Sequence, residues 1–417
     1  MARRCRRALA YILIPVALSS LASAQTTLTW EQVRERFRQN NPNLLAGRTS
    51  VEQSKANEVT AGLRPNPQLS FVSDEYRIFH PNPLQPFQNA QTTPVLSQLW
   101  ERGHKRELRV VSARLATSIT GTDLADLERQ MTFSLRDAFI RTLQAKSVLE
   151  LAKQNLDYYD RVIALNRERY KAGDIARVDL ERVELQRVQF ESDYVNGNVN
   201  LRTAKIDLLA LMNENQPVDG FDITGEFDYK ETILLPDELR RAALESRPDL
   251  QSANTTIRKA QADNRLAWAN GTTDPTVGLE YQRMGPDNTM GLDLGIPIRI
   301  FDRNQGEKER TALEIRRTEQ LRESLLTGIY RDVDSAYATL DSVRQLLRSY
   351  KQTYLAQAAN VRETVSFSFS RGGASLLDFL DAQKSYRDTQ LNYRNLIASY
   401  LSAANQLNLA VGREVIQ

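Results

Sequence analysis

The sequence predicts a mixed, mainly α fold: two long antiparallel coiled-coil helical hairpins, each accompanied by a short β-hairpin. Three observations carry this. Residues 95–216 and 298–417 contain no proline. Proline lacks an N–H and clashes with the preceding turn, so these stretches are free to be long helices. Each stretch holds a nearly identical turn, and the two turns lie 199 residues apart. They read Arg169-Tyr-Lys-Ala-Gly173-Asp-Ile-Ala-Arg-Val-Asp179-Leu and Ser368-Phe-Ser-Arg-Gly372-Gly-Ala-Ser-Leu-Leu-Asp378-Phe. Glycine accepts the left-handed conformation that ends a helix, so each hairpin is expected to turn at its glycine. Between the helical parts lie segments in which apolar and polar residues alternate, the period of a strand.

The first 24 residues read separately. Arg3, Arg4, Arg6 and Arg7 precede an apolar run from Ala8 to Leu18, and Ala22-Ser23-Ala24 follows. This is the pattern of a secretory signal peptide cleaved before Gln25; the run is too short to span a bilayer. Removing its four arginines leaves 51 Lys and Arg against 52 Asp and Glu, a net charge of −1. The basic character of the full chain therefore lies in the leader, and nucleic-acid binding loses its electrostatic basis. The single cysteine, Cys5, leaves with it, so no disulfide or thiolate metal ligand is expected.

The remainder reads as two copies of one unit, over 25–216 and 217–417, the second beginning with a linker. Each unit starts with a short amphipathic segment, Leu28–Leu44 ending in Asn41-Pro42-Asn43-Leu44 and Leu235–Leu250 ending in Arg247-Pro248-Asp249-Leu250. A β-hairpin is expected next, over about 67–100 in the first copy and about 275–300 in the second. The second is the clearer. Val277, Leu279 and Tyr281 alternate with Gly278, Glu280 and Gln282, and Met290, Leu292, Leu294 and Ile296 alternate with Gly291, Asp293 and Gly295. In the first, alternation from Leu69 and Phe71 fades at Ser73-Asp-Glu75, and Pro94 is expected to interrupt the return strand.

The helical hairpins come after, over about 104–213 with the tip at Gly173 and about 304–411 with the tip at Gly372. In the first arm Leu127, Met131, Leu135, Ala138, Thr142, Ala145, Leu149, Ala152, Leu156, Tyr159 and Ile163 recur at mostly three–four spacing. In the return arm Leu185, Val188, Val195, Val199, Ile206 and Leu209 do the same. Seams this narrow suit coiled-coil packing. Gly121, Gly197 and Gly328 are tolerated weak points.

A half-buried soluble sheet and a membrane barrel share the alternating pattern. Counting strands constrains the second case. Two hairpins give four strands, open edges cannot sit in lipid, and the smallest membrane barrels have eight strands, so several chains must share one barrel. Three chains give twelve strands; two chains would leave little lumen.

This order of elements resembles the TolC family of outer-membrane efflux proteins over essentially the whole mature chain. The sharpest residues are the turn motifs Tyr170-x-x-Gly173-x5-Asp179 and Phe369-x-x-Gly372-x5-Asp378-x-x-Asp381. The junctions Trp100-Glu-Arg-Gly103 and Pro297-Ile-Arg-Ile-Phe301-Asp302-Arg303-Asn304-Gln305-Gly306 are most similar to the heavy-metal (CzcC-like) efflux branch. The resemblance implies a homotrimer with a twelve-stranded outer-membrane barrel and a periplasmic helical tunnel. It also implies a passive exit duct served by an inner-membrane pump, of the RND type, and a periplasmic adaptor. Heavy-metal cations are the cargo that the branch suggests. Two rival readings are a secreted coiled-coil rod and the adaptor itself, which usually carries one helical hairpin rather than two.

The candidate site is the pair of tips. Asp378 and Asp381 share a helix face just after the second turn. They read both as helix N-terminal acids and, across three chains, as an acidic ring selecting cations, which the family carries at matching positions. Asp179 reads as a cap. Tyr170, Gly173, Phe369, Gly372 and Gly373 shape the surface on which the adaptor would dock. Phe369 stands where the best-known family pattern has a hydrogen-bonding tyrosine, and Ala374 where it has an arginine, so Arg371 and Arg177 are the candidates for the closing contacts. His80 and His104, even with Met284 and Met290, are too few and too separate for a metal site. No nucleophile–base constellation or phosphate loop is present, so neither an enzyme nor a cofactor is expected.

Overall fold

The structure, a computed structural model, describes residues 26–76, 90–230 and 235–416. The leader expected over 1–24 and His80 lie outside these described residues. Strand β1 (Thr26–Leu28) leads into helices α1 (Trp30–Asn40) and α2 (Pro42–Gly62), then strands β2 (Gln68–Asp74) and β3 (Gln91–Leu99). Helices α3 (Lys105–Lys171) and α4 (Arg177–Leu211) come next, then β4 (Phe221–Ile223). The order recurs as α5 (Pro236–Ser246), α6 (Pro248–Asn270), β5 (Thr276–Met284), β6 (Asp287–Gly295), α7 (Gln305–Ser349), α8 (Leu355–Ser370) and α9 (Leu376–Val411).

Local chemistry explains the boundaries. Pro42 and Pro248 occupy the first positions of α2 and α6, where a missing N–H costs nothing. The residues before them clamp the distant helix ends. Asn41 caps α2 and donates to the carbonyl of Leu211, 3.0 Å away, at the end of α4. Arg247 donates to the carbonyl of Ala410, 3.1 Å away, at the end of α9, while pairing with Asp249. Helices α3 and α7 both begin one residue after a left-handed residue, His104 and Asn304.

The 67 residues of α3 run unbroken, about 100 Å at 1.5 Å per residue. Its counterpart does not. The second ascending arm is broken by a π-helical turn, Tyr350–Tyr354, between α7 and α8. The turn sets the Lys351 ammonium 5.6 Å from the Tyr229 ring centroid and 4.0 Å from Asp228.

The four longer strands form one antiparallel sheet in the order β2-β3-β5-β6. Pro94 does not interrupt β3. It lies opposite Phe71 of β2, and the pairing with β5 skips only between Thr92↔Arg283 and Val95↔Glu280. The break thus costs two steps of one ladder, at Thr93 and Pro94. The register lines up Leu69, Leu96, Leu279 and Leu292 across all four strands on one face, 46–83% exposed. The opposite face carries Ser97, Gly278 and Asp293 in one row. A small parallel sheet, β1 with β4, packs against the middle of α3, where Leu28, Phe221 and Ile223 share a buried cluster with Leu135, Phe139 and Leu143.

Below the sheet the helices stand side by side in two tiers. Near the sheet the order is α2-α3-α6-α7, and farther away it is α4-α3-α9-α8. Gly197 is where α3 and α4 approach closely: a Cβ there would meet Leu149 at 3.2–3.3 Å, backbone included.

The seam of α4 differs from expectation. Leu185, Val188, Val195, Val199 and Ile206 do not meet α3; they form a stripe 49–71% exposed. The face that meets α3 is Val183, Phe190, Gly197 and Leu208, all buried. Helix α4 therefore carries two apolar faces, of which this chain covers one. The α3 seam is as expected at Leu135, Ala138, Thr142, Ala152, Tyr159 and Ile163, all buried. No described helix is long and apolar enough to cross a membrane.

Candidate functional site at the helical tips

The two turns have the same construction. Gly173 and Gly372 adopt φ of 83° and 79°. Asp174 N–H donates to the carbonyl of Arg169 and Gly173 N–H to that of Tyr170. Gly373 and Gly372 repeat the pair onto Ser368 and Phe369. This is the Schellman closure, whose left-handed residue strains any side chain but glycine's. Gly373 has ordinary backbone geometry.

The helices leaving the two turns are capped differently. Ser375 and Asp378 form a capping box: the Asp378 carboxylate accepts from the Ser375 hydroxyl at 2.7 Å and its N–H at 3.2 Å, and the Ser375 hydroxyl accepts from the Asp378 N–H. These hydrogen bonds hold the Asp378 carboxyl below its usual range, so it stays ionised. In the first repeat the equivalent of Ser375 is Ala176, which has no hydroxyl to offer. Asp179, expected as a cap, has no side-chain hydrogen bond among the described residues. Asp381 is exposed one turn beyond Asp378 and is also without a side-chain partner there.

The second tip leans on the first hairpin. Tyr159, Ile163, Val183 and Phe190 form a buried cluster between α3 and α4, with Tyr159 and Phe190 stacked at 4.5 Å. Leu376 and Leu380 of α9 pack against it. This sets the helix that carries Asp378 and Asp381.

The residue that ties the tips together is Arg169. Its guanidinium donates to the Phe369 carbonyl at 3.3 Å and lies 5.1 Å from the Phe369 ring centroid. Phe369 in turn stacks on Phe379 at 4.7 Å. Neither arginine expected at the closing contacts does this. Arg371 lies over Phe367 of its own helix, and Arg177 pairs with Glu181 of its own helix. Arg169 was legible in principle: it lies four residues before Gly173, as Phe369 lies three before Gly372, which sets both at one height. Higher up, Arg362 sits over Tyr386 at 3.8 Å and Tyr158 at 5.2 Å, and Arg387 of α9 pairs with Asp193 of α4 at 3.6 Å.

Tyr170 is partly exposed at the first tip, and Phe367, Leu377 and Val178 are exposed around both turns. His104 lies at the far end of α3, its ring 4.0 Å from the Glu107 carboxylate. No group of three or more His, Cys, Asp or Glu among the described residues is placed to hold a metal.

The profile of the family described as "Outer membrane efflux protein" matches this chain twice, over residues 33–214 and 239–413. The chain belongs to that family. Its relatives include the cobalt-zinc-cadmium resistance protein CzcC of Cupriavidus metallidurans, 24% identical over 378 residues, which cover 89% of this chain and 87% of CzcC. They also include the pyoverdine export outer membrane protein OpmQ of Pseudomonas putida, 24% identical over 92% of this chain and 85% of OpmQ. Among solved structures, CusC shares the fold with a TM-score of 0.77 at 17% identity, covering 92% of both chains. The similarity to CzcC agrees with the branch to which the strand-to-helix junctions pointed. Membership places the protein among transport proteins of the outer membrane.

Proposed function

We propose that this chain is one subunit of a homotrimeric exit duct in a tripartite efflux system. The observation that carries the proposal is a shared pair of open flanks. In the sheet β2 and β6 are the edges; in the helical tiers α2 and α4 end one side and α7 and α8 the other. One lateral order therefore runs through the whole height. A sheet edge in lipid leaves backbone groups unpaired, which a bilayer does not tolerate. Joining the β6 side of one copy to the β2 side of the next closes sheet and helices in one operation, and three copies give twelve strands. The uncovered α4 stripe supplies an apolar face for that joint. Strands β3, β5 and β6 have nine residues each, the length that a tilted strand needs to cross a bilayer.

On this reading the duplicated units, 25–216 and 217–417, supply two similar sectors of one ring, and the duct conducts without chemistry. The tips at Gly173 and Gly372 form the periplasmic mouth, where a periplasmic adaptor docks and an inner-membrane RND pump delivers cargo. Asp378 and Asp381 from three chains contribute six carboxylates around the opening. The similarity to CzcC and the acidic tip both favour metal cations as cargo. The test is to extract outer membranes in mild detergent and measure native mass. A species of three times the monomer mass is expected; a monomer in the soluble fraction would overturn the duct.

A further inference from the structure

We infer that the foot of the barrel holds a specific anionic phospholipid headgroup at the start of α3. The inference rests on the reading of the apolar sheet face as lipid-facing. That face continues past the leucine row. Gln98 and Val277 are paired one step below Leu96 and Leu279, and the Trp100 N–H donates to the Pro275 carbonyl at 2.9 Å, extending the ladder by another step. Alternation therefore sets Trp100 on the same face as Leu96, and Ile296 on the same face as Leu294. Trp100 is 67% exposed. An exposed tryptophan on the last row of a lipid-facing sheet sits at the level where aromatic side chains meet headgroups.

Directly beside Trp100 is a pocket of about 450 Å³, lined by Arg64, Trp100, Glu101, His104, Arg106 and Glu107 among others. Its charges do not cancel. Both Glu101 oxygens are taken by Arg109 from outside the pocket. Lys105 is engaged by Asp274, which leaves the one carboxylate of Glu107 against the two guanidinium groups of Arg64 and Arg106. Arg106 spends only its Nε, on the Gly62 carbonyl. Arg64 is exposed and has no hydrogen bond or ion pair among the described residues. Two guanidinium groups thus line a pocket that opens next to an interfacial tryptophan. Guanidinium groups suit phosphate oxygens because they donate in parallel pairs. The occupant that satisfies both features is a phosphodiester headgroup whose acyl chains lie along the strands above Trp100. A net-negative headgroup such as phosphatidylglycerol is favoured over a zwitterionic one, because a zwitterion brings its own cation toward the arginines.

The experiment uses the full mature chain, reconstituted as its native assembly, with Trp30 and Trp268 replaced by Phe so that Trp100 alone fluoresces. Vesicles of phosphatidylcholine contain a minor fraction of either dibrominated phosphatidylglycerol or dibrominated phosphatidylcholine. Bromine quenches tryptophan only on contact. Stronger quenching by the phosphatidylglycerol form is expected, at about fivefold local enrichment, the preference that one basic side chain near an anionic surface supplies. The R64Q/R106Q variant should lose this preference and R64K/R106K should keep most of it. R64Q alone, which leaves the Arg106 contact to Gly62 intact, should weaken it. Equal quenching by both lipids overturns the headgroup site while leaving the lipid-facing sheet standing. No quenching by either overturns the lipid-facing reading and the site together.

Discussion

The exposed stripe on α4 gives the sharpest test of how copies of this chain join. The perturbation is Val195→Asp. Val195 is 54% exposed in the single chain, at the centre of the stripe. Full burial of a valine is worth about 1.5 kcal/mol, so covering the remaining half contributes roughly 0.8 kcal/mol per interface. An unpaired carboxylate in the same place adds a desolvation cost of at least about 2 kcal/mol. The loss is then roughly 3 kcal/mol per interface, and a closed ring of three copies contains three such interfaces. The control is Asn198→Asp, which adds the same charge at an exposed position off the stripe. The assay is native mass in mild detergent over a dilution series, with circular dichroism to check that the helices remain. Val195→Asp should shift the assembly to monomer at protein concentrations where Asn198→Asp remains trimeric. Equal behaviour of the two variants would mean that the stripe is not the joint.

The remaining expectations concern other parts of the molecule. Gly197→Ala should lower the thermal midpoint, because the added methyl meets the α3 backbone and overpacking costs about 1–3 kcal/mol; Gly121→Ala, with open space around it, should raise it through helix propensity worth roughly 1 kcal/mol. In planar bilayers Asp381→Asn should lower cation over anion selectivity, and adding Asp378→Asn should lower it further; unchanged selectivity would retire the acidic ring. Asp249 provides a pH signature. Burial raises its pKa, but the Arg247 hydrogen bond and charge outweigh that and leave it depressed. A depressed folded-state pKa gives stability that is complete above the unfolded value and lost as pH falls below about 4, so Asp249→Asn should flatten the acid limb of the stability curve. Arg169→Ala should loosen the tips, read as higher conductance of the reconstituted channel, whereas Arg177→Ala should leave conductance unchanged.

Much of the architecture was written locally. Proline-free runs need only the absence of a breaker, the Gly173 and Gly372 closures need only a residue that tolerates positive φ, and Leu292 or Leu279 declares its face by alternation. The different caps of α4 and α9 were also legible, since Ala176 stands where Ser375 supplies a hydroxyl. What could not be read depends on which surfaces meet. Helix α4 has two apolar stripes, and periodicity reports a stripe without naming its partner. Only packing assigned Val183, Phe190 and Gly197 to α3 and left Leu185 and Val195 uncovered. Pro94 is tolerated because the break is confined to the β3–β5 ladder, while the β2–β3 ladder runs through it unbroken. Arg169 became the tie between the tips because α9 leans on the α3–α4 cluster and brings Phe369 within reach. Sequence by itself determined the elements, their duplication and their turns, because those depend on bonds between near neighbours. The tertiary structure decided which faces are spent inside one chain and which remain for another, because that depends on contacts between residues hundreds of positions apart.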